Sequence, residues 1–124
     1  MALSCQGASW YDSRRARDGM RRGLLMIVVR NVFRLKFGKA REAVALMKEG
    51  VAIQKQAGST FAARVLTDVT GPFYTLVLEL TAPSLAAFEA AAPTMMGNKE
   101  FQANYQKLAP LVESGYREVF TIVE

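Results

Sequence analysis

The side chains best suited to bind a ligand are polar residues inside apolar, strand-like segments. A few well-placed polar groups in an apolar lining orient the ligand in most small-molecule sites. Met96 is included as well, because it lies where Pro93 and Asn98 interrupt a helical segment. Such an interruption would form the mouth of a pocket. The predicted ligand-binding residues are Arg30, Asn31, Arg64, Asp68, Tyr74, Glu79, Met96 and Arg117.

Each charged candidate also has a structural interpretation. An isolated buried charge is costly to desolvate, so an arginine beside a carboxylate is the expected arrangement. Such an ion pair can stabilise a sheet or an interface as readily as it can bind a ligand. The carboxylates Asp68, Glu79 and Glu118 lack the spacing of an EF-hand loop, and we expect no metal site.

Methionine and aromatic side chains on the helical segments also allow two interpretations. Flexible methionines adapt to irregular apolar ligands, but they fill gaps in a hydrophobic core equally well. The residues concerned are Met47, Phe88, Met95, Met96, Phe101 and Tyr105. They line either a hydrophobic pocket or the core.

The chain contains no histidine and a single cysteine, Cys5. Without histidine there is no Ser-His-Asp or Cys-His nucleophile, no His-ligated haem and no ordinary zinc site. Glycine-rich nucleotide loops and the nucleophile elbow are missing from the sequence as well. We therefore expect no cofactor, and acid–base chemistry would use Asp, Glu, Tyr, Lys, Arg or the substrate itself.

The net charge of +5 is concentrated at the start of the chain. Residues 1–25 hold five arginines and two aspartates, so the remaining 99 residues contribute only +2. A nearly balanced domain predicts no nucleic-acid partner. No apolar run approaches the ~20 residues of a membrane span. A secretory signal and an internal disulfide are also missing, and a cytoplasmic location is the expectation.

The chain divides at residue 26. Residues 1–25 are rich in Ser, Gly, Arg and Ala without sustained periodicity, and we interpret them as a flexible basic extension, with a targeting segment as the alternative. Residues 26–124 have the patterns of one domain. With 51% hydrophobic residues overall, the chain can bury a sizeable core.

β-Branched and aromatic residues predict four strands, at 27–37, 60–70, 73–81 and 116–124. The third strand is apolar in both phases of its alternation, which is typical of a strand covered on both faces. Gly71-Pro72 predicts a hairpin between the second and third strands.

Apolar residues at three- and four-residue steps predict the helices. The first covers residues 39–57, with Gly38 as its N-cap and Gly58 closing it in the left-handed conformation. The second begins at Ser84 and bends or ends near Ala92, ahead of Pro93. Asn98 is then predicted to cap a continuation of this helix, which is expected to kink at Pro110 and to end at Gly115.

The predicted order β-α-β-β-α-β is that of ferredoxin-like α+β domains with a four-stranded antiparallel sheet. Right-handed crossovers place the first and third strands in the centre. Both helical segments then cover one face, although the strands carry apolar residues in both phases. A bare apolar face of this kind predicts an interface, and we expect a homodimer. The alternative is a monomer that covers this face with residues 1–25.

Three short segments resemble those of a known superfamily. Arg34-Leu-Lys-Phe-Gly-Lys39 resembles a Leu-Lys-Pro-Gly-Lys-like turn, Asn98-Lys-Glu-Phe101 is similar to an Asp-Pro-Glu-Trp/Phe helix start, and Gly115-Tyr-Arg-Glu118 leads into the last strand. Over residues 26–124 the chain is similar to the dimeric α+β barrel proteins, and among them to the NIPSNAP family and the antibiotic biosynthesis monooxygenases. The resemblance implies a barrel-forming dimer with a cavity between sheet and helices or in the barrel centre.

Three functions follow from the resemblance and the residues. The first is a NIPSNAP-like dimer that binds a small apolar or aromatic ligand, with Arg30, Arg64 or Tyr74 as polar anchors. The second is a cofactor-independent monooxygenase that uses Asn31, Tyr74 and Arg64, although the barrel region has no tryptophan. The third is a structural or partner-binding dimer module. Whether the protein is an enzyme stays open at this point.

Overall fold

The computed structural model describes residues 26–123. The basic extension predicted at residues 1–25 lies outside the described residues. The elements are β1 (Ile27–Leu35), α1 (Ala40–Gln56), β2 (Ala62–Thr67), β3 (Thr75–Ala82), α2 (Leu85–Met96), α3 (Lys99–Leu108), a 3-10 turn (Ala109–Leu111) and β4 (Val112–Thr121).

The four strands form one antiparallel sheet in the order β2-β3-β1-β4. β1 and β3 are central, as predicted, and the ferredoxin-like α+β fold is confirmed. Within residues 26–123, none of the helices combines the length and the apolar character that a membrane crossing requires.

The core lies between the sheet and the helices. Val29 of β1 and Leu76 of β3 are fully buried there. Alternation along the strands sends every second residue to this face, where it meets Ala43 and Met47 of α1 and Leu108 of α3. The two α1 residues lie four positions apart and so share one side of the helix. Each large apolar side chain buried here contributes roughly 1.5–3 kcal/mol.

The hairpin between β2 and β3 has a longer loop than the sequence predicts. β3 begins at Thr75 rather than Phe73, because Tyr74 adopts a left-handed backbone conformation (φ 61°) that interrupts the extended chain. Asp68 closes the loop: its Oδ1 accepts a hydrogen bond of 2.9 Å from the backbone N–H of Thr75. As a result, Phe73 is 77% exposed and contributes nothing to the sheet.

The transition from α3 to β4 also differs from the prediction. The helix ends at Leu108, and Pro110 lies in the 3-10 turn, where its missing N–H is tolerated. β4 begins at Val112, four residues before the predicted start. The backbone N–H of Lys36 donates to the carbonyl of Leu111 over 2.8 Å, which fixes this turn beside the end of β1. Gly115 therefore lies within β4 and does not end a helix.

The helix caps follow the sequence in most places. Oγ of Ser84 accepts from the N–H of Ala87 at the start of α2, and Oδ1 of Asn98 accepts from the N–H of Phe101 at the start of α3. Gly58 has the predicted left-handed conformation, with φ of 99°.

The N-cap position of α1 is Lys39, while Gly38 adopts a left-handed conformation (φ 80°) in the preceding turn. The sequence predicts that α2 bends or ends near Ala92, and the helix continues through Pro93 to Met96. A proline near a helix end removes one hydrogen bond and leaves the last turn intact.

The three helices lie on the face of the sheet that carries Asn31 and Phe33. The opposite face carries the other phase of each strand and has no helical cover from residues 26–123. On it, Tyr116 is 61% exposed and Phe120 is 51% exposed, next to Val28 and Val32 of β1. Both faces of the sheet therefore carry apolar residues, as the alternation predicts.

Candidate functional site

A cavity of about 970 Å³ lies between the sheet and the helices. Small-molecule sites usually enclose about 300–1,000 Å³, so the space suits a ligand of moderate size. Its walls are mostly apolar, and they include all six of the methionine and aromatic residues for which the sequence left pocket and core open. These are Met47, Phe88, Met95, Met96, Phe101 and Tyr105.

The cavity exists because α2 does not fill the space above the sheet. No residue of α2 is buried, whereas α1 buries four. The inner side of α2 carries Ala87, Ala91 and Ala92, whose side chains are too short to reach the strands. Only Phe88 of this helix packs against the core, where its ring lies 6.4 Å from that of Phe61.

The charged residue of the cavity lining is Arg117, an exposed residue on the edge strand β4. It lies directly opposite Asn31 of β1, and its Nε donates a 2.7 Å hydrogen bond to Oδ1 of that asparagine. Its guanidinium carbon lies 5.2 Å from the ring centroid of Phe88, a cation–π distance. Arg117 is the only charged residue among the described residues that line the cavity.

Asn104 is a further polar residue of the cavity wall, and sequence reasoning missed it. It is 6% exposed and is the one buried polar residue within the described part of the chain. Its Nδ2 donates to the carbonyl of Leu46 over 2.9 Å and to Oε1 of Glu49 over 3.1 Å, which ties α3 to α1. The signal was present, because Asn104 falls on the apolar side of α3 between Phe101 and Leu108.

Three predicted site residues lie on the opposite, helix-free face. Arg64, Glu79 and Arg30 occupy directly paired positions on β2, β3 and β1, and Glu118 of β4 completes the row. Nη1 of Arg30 lies 3.7 Å from Oε2 of Glu79, and Nε of Arg30 lies 3.6 Å from Oε1 of Glu118. Arg64 forms a hydrogen-bonded ion pair with Glu79. The four charges alternate in sign across the whole sheet. We refer to them as the charge row.

The remaining predicted residues separate into two groups. Tyr74 and Asp68 lie in the β2–β3 loop, where the Tyr74 ring meets Phe37 edge-on at 5.2 Å and Asp68 closes the turn. Neither lines the cavity. Met96 does line it, together with Asn31 and Arg117. Of the eight predicted residues, the structure therefore brings three together at one cavity.

Metal chemistry finds no support in the arrangement of side chains. Within residues 26–123, acidic and cysteine residues do not come together in groups of three or more that would suit a metal ion. The carboxylates Glu79 and Glu118 each face an arginine, as described for the charge row. What the cavity offers chemically is a mostly apolar wall with one cationic anchor and three side-chain amides, those of Asn31, Gln54 and Asn104.

No protein-family model matches the sequence, and no curated protein matches it either. Solved structures do match. A NIPSNAP family protein from Agrobacterium tumefaciens superimposes with a TM-score of 0.72 at 23% identity, over 80% of this chain and 87% of that one. The chain shares the fold of the NIPSNAP proteins.

Two further solved structures share this fold. A second NIPSNAP family protein from A. tumefaciens, of unknown function, matches with a TM-score of 0.71 at 19% identity, over 81% of this chain and 90% of that one. A candidate antibiotic biosynthesis monooxygenase from Caulobacter crescentus matches with a TM-score of 0.66 at 17% identity, over 82% and 92%. At these identities the likeness concerns the fold alone.

Proposed function

We propose that this protein is a NIPSNAP-like homodimer that binds a small apolar or aromatic ligand in the cavity between sheet and helices. The observation that carries the proposal is the cavity itself, about 970 Å³ with mostly apolar walls. Apolar walls around a cleft of this size are what small-molecule sites typically provide, and an apolar ligand would remove those walls from water. The anchoring groups are Arg117 and Asn31 rather than Arg30, Arg64 or Tyr74.

Dimerisation would cover the helix-free face. Exposed apolar residues such as Tyr116 and Phe120 surround the charge row there. A row of alternating charges is also complementary to its own copy when a two-fold axis reverses its direction.

Two measurements on the full-length protein test this proposal. Native mass spectrometry of freshly purified protein should give twice the chain mass of 13.7 kDa, with a small molecule retained per chain. Titration with N-phenyl-1-naphthylamine, a neutral fluorescent probe, should saturate at one probe per chain. A mass of one chain would overturn the dimer, and residues 1–25 would then be the expected cover.

The titration also distinguishes the ligand-binding protein from a structural module. If the purified protein carries no small molecule and the probe gives no saturable signal, the cavity binds nothing and the partner-binding module is the better account. A probe that binds without a retained small molecule still supports the proposal, because an exchangeable ligand is lost during purification.

A cofactor-independent monooxygenase is the second candidate, favoured by the Caulobacter structure of the same fold. Of the residues named for it, only Asn31 lines the cavity, since Arg64 and Tyr74 lie elsewhere. Oxygen uptake with polyphenol or anthrone-like substrates, without added flavin or metal, tests it. Uptake that disappears in Asn31→Ala would support this activity, and no uptake above the uncatalysed rate would count against it.

A further inference from the structure

We propose that the ligand of the cavity is an amphipathic monocarboxylate, whose carboxylate binds Arg117 and whose apolar body lies along the methionine and aromatic walls. This inference rests on the proposed ligand-binding function and specifies its substrate class. It follows from the number, pairing and orientation of the charged groups at the cavity.

Arg117 differs from Arg30 and Arg64 on the other face, because it has no acidic partner among residues 26–123. Arg30 pairs with Glu79 and Glu118, and Arg64 pairs with Glu79. Among residues 26–123, no carboxylate lies within ion-pair distance of Arg117, although it lines a mostly apolar space. A guanidinium beside apolar walls gains most from an anion that is brought by a ligand.

The geometry of Arg117 selects a planar, two-oxygen anion. Its Nε is occupied by Asn31, and the ring of Phe88 lies on one side of the guanidinium. The two terminal nitrogens remain, and together they present parallel N–H groups that match the two oxygens of a carboxylate. The side chain is held on two sides, so little further ordering is needed when the anion binds.

Asn31 supplies a further donor. Because Nε of an arginine only donates, the asparagine oxygen must face Arg117, and its amide nitrogen faces away from that bond. This nitrogen makes no hydrogen bond with another residue in the described part of the chain. It can therefore donate to the same carboxylate or to a polar atom beside it.

The apolar walls restrict which further polar or charged groups the ligand can carry. With one cationic anchor and apolar surroundings such as Phe33, Leu78 and Phe101, a second charged group that lies against these walls would have no partner of opposite charge. A phosphate monoester or a dicarboxylate is thus disfavoured. A single carboxylate on an alkyl chain or an aromatic ring satisfies both the anchor and the walls.

The test compares dodecanoate with 1-dodecanol, which has the same chain and no charge, by displacement of N-phenyl-1-naphthylamine from the full-length protein. Wild-type protein should bind the acid at least about tenfold more tightly than the alcohol. Arg117→Gln should weaken acid binding by about tenfold to a hundredfold and alcohol binding by much less, so that most of the preference for the acid is lost. Arg41→Gln, which removes an exposed arginine that does not line the cavity, is the charge-matched control and should behave like wild type.

Equal affinities of the wild type for acid and alcohol would overturn the carboxylate assignment while the cavity remains a binding site. Failure of the probe to bind at all would overturn the proposed function and, with it, this inference. The wild-type comparison does not depend on any variant. Arg117→Lys keeps the charge without the paired N–H groups and should retain only part of the preference for the acid.

Discussion

Arg117 and Asn31 lie opposite each other on neighbouring antiparallel strands, joined by a 2.7 Å hydrogen bond from Nε of the arginine to Oδ1 of the asparagine. Because their positions are paired in the sheet, both side chains emerge on the helix-covered face. The bond fixes which nitrogens of the guanidinium remain for a ligand. It is the feature from which the binding predictions follow.

Asn31→Asp should abolish most of the preference for an anionic ligand. The new carboxylate would form an ion pair with Arg117 inside the protein and compete with the carboxylate of the ligand. We expect dodecanoate affinity to fall by about tenfold or more, with 1-dodecanol affinity unchanged. Probe displacement measures both. An equal loss for acid and alcohol would indicate that the variant disturbs the cavity itself and that Asn31 does not act through Arg117.

Gly50→Ala should reveal how closely α1 and α3 approach. A Cβ atom at Gly50 would lie 2.9 Å from Oδ1 of Asn104, whose side chain is held by two hydrogen bonds. We expect the free energy of unfolding to fall by about 1–2 kcal/mol. In an Asn104→Ala background the same change should instead stabilise, by up to about 1 kcal/mol, because alanine favours a helix. Urea denaturation of the four proteins completes this cycle, and stabilisation in both backgrounds would contradict the contact.

Gly115→Ala should destabilise the pairing of β4 with β1. A Cβ atom there would lie 3.0 Å from Cδ1 of Phe33 and 3.1 Å from the carbonyl oxygen of Val32. The backbone oxygen cannot move without displacing β1, so we expect a loss of about 1–3 kcal/mol in unfolding free energy. The neighbouring Ser114→Ala, on the same exposed strand, should change stability by less than about 0.5 kcal/mol. Equal effects of the two changes would show that the close approach does not constrain the sheet.

Asp68 was predicted from the sequence as a ligand residue, but its hydrogen bond to Thr75 suggests a structural role. Asp68→Ala should lower the free energy of unfolding by about 1 kcal/mol, and Asp68→Asn should recover most of it because the amide keeps an acceptor oxygen. Dodecanoate affinity should not change in either variant. A loss of dodecanoate binding without a loss of stability would show that Asp68 contributes to ligand binding.

Phe120→Asp should weaken the proposed dimer, because it places a charge among the apolar residues of the helix-free face. Light scattering should then report a mass that falls toward 13.7 kDa on dilution. Val119→Asp is the adjacent control, since Val119 pairs with Val29 and belongs to the helix-covered face. Dimers of equal strength in the two variants would place the interface elsewhere.

The fold was predictable because its signals are local. Two-residue alternation and three- to four-residue spacing distinguish strands from helices over a few residues, and side-chain caps such as Ser84 and Asn98 mark helix starts. The boundaries that differ depend on distant contacts. The left-handed Tyr74 is held by a hydrogen bond from the N–H of Leu35, and the 3-10 turn at Pro110 is fixed by Lys36.

The site was only partly predictable, because residue types do not reveal which face a residue occupies. Arg30 and Asn31 are neighbours in sequence, yet one belongs to the charge row and the other to the cavity. Alternation separates them, but choosing the helix-covered phase requires the register of all four strands. Asn104 escaped notice because an asparagine within an amphipathic helix reads as a solvent-facing residue until its partners on α1 are known.

The central claim is that the space beneath α2 holds a ligand, and paired tryptophan substitutions test it most directly. Ala91 lines the cavity, whereas Ala90 is exposed on the same helix and does not. Titration of the full-length variants with N-phenyl-1-naphthylamine should show that Ala91→Trp lowers probe affinity by at least about tenfold, while Ala90→Trp binds like wild type. Equal probe affinities in wild type and both variants would show that the ligand, if one binds, does not occupy this cavity.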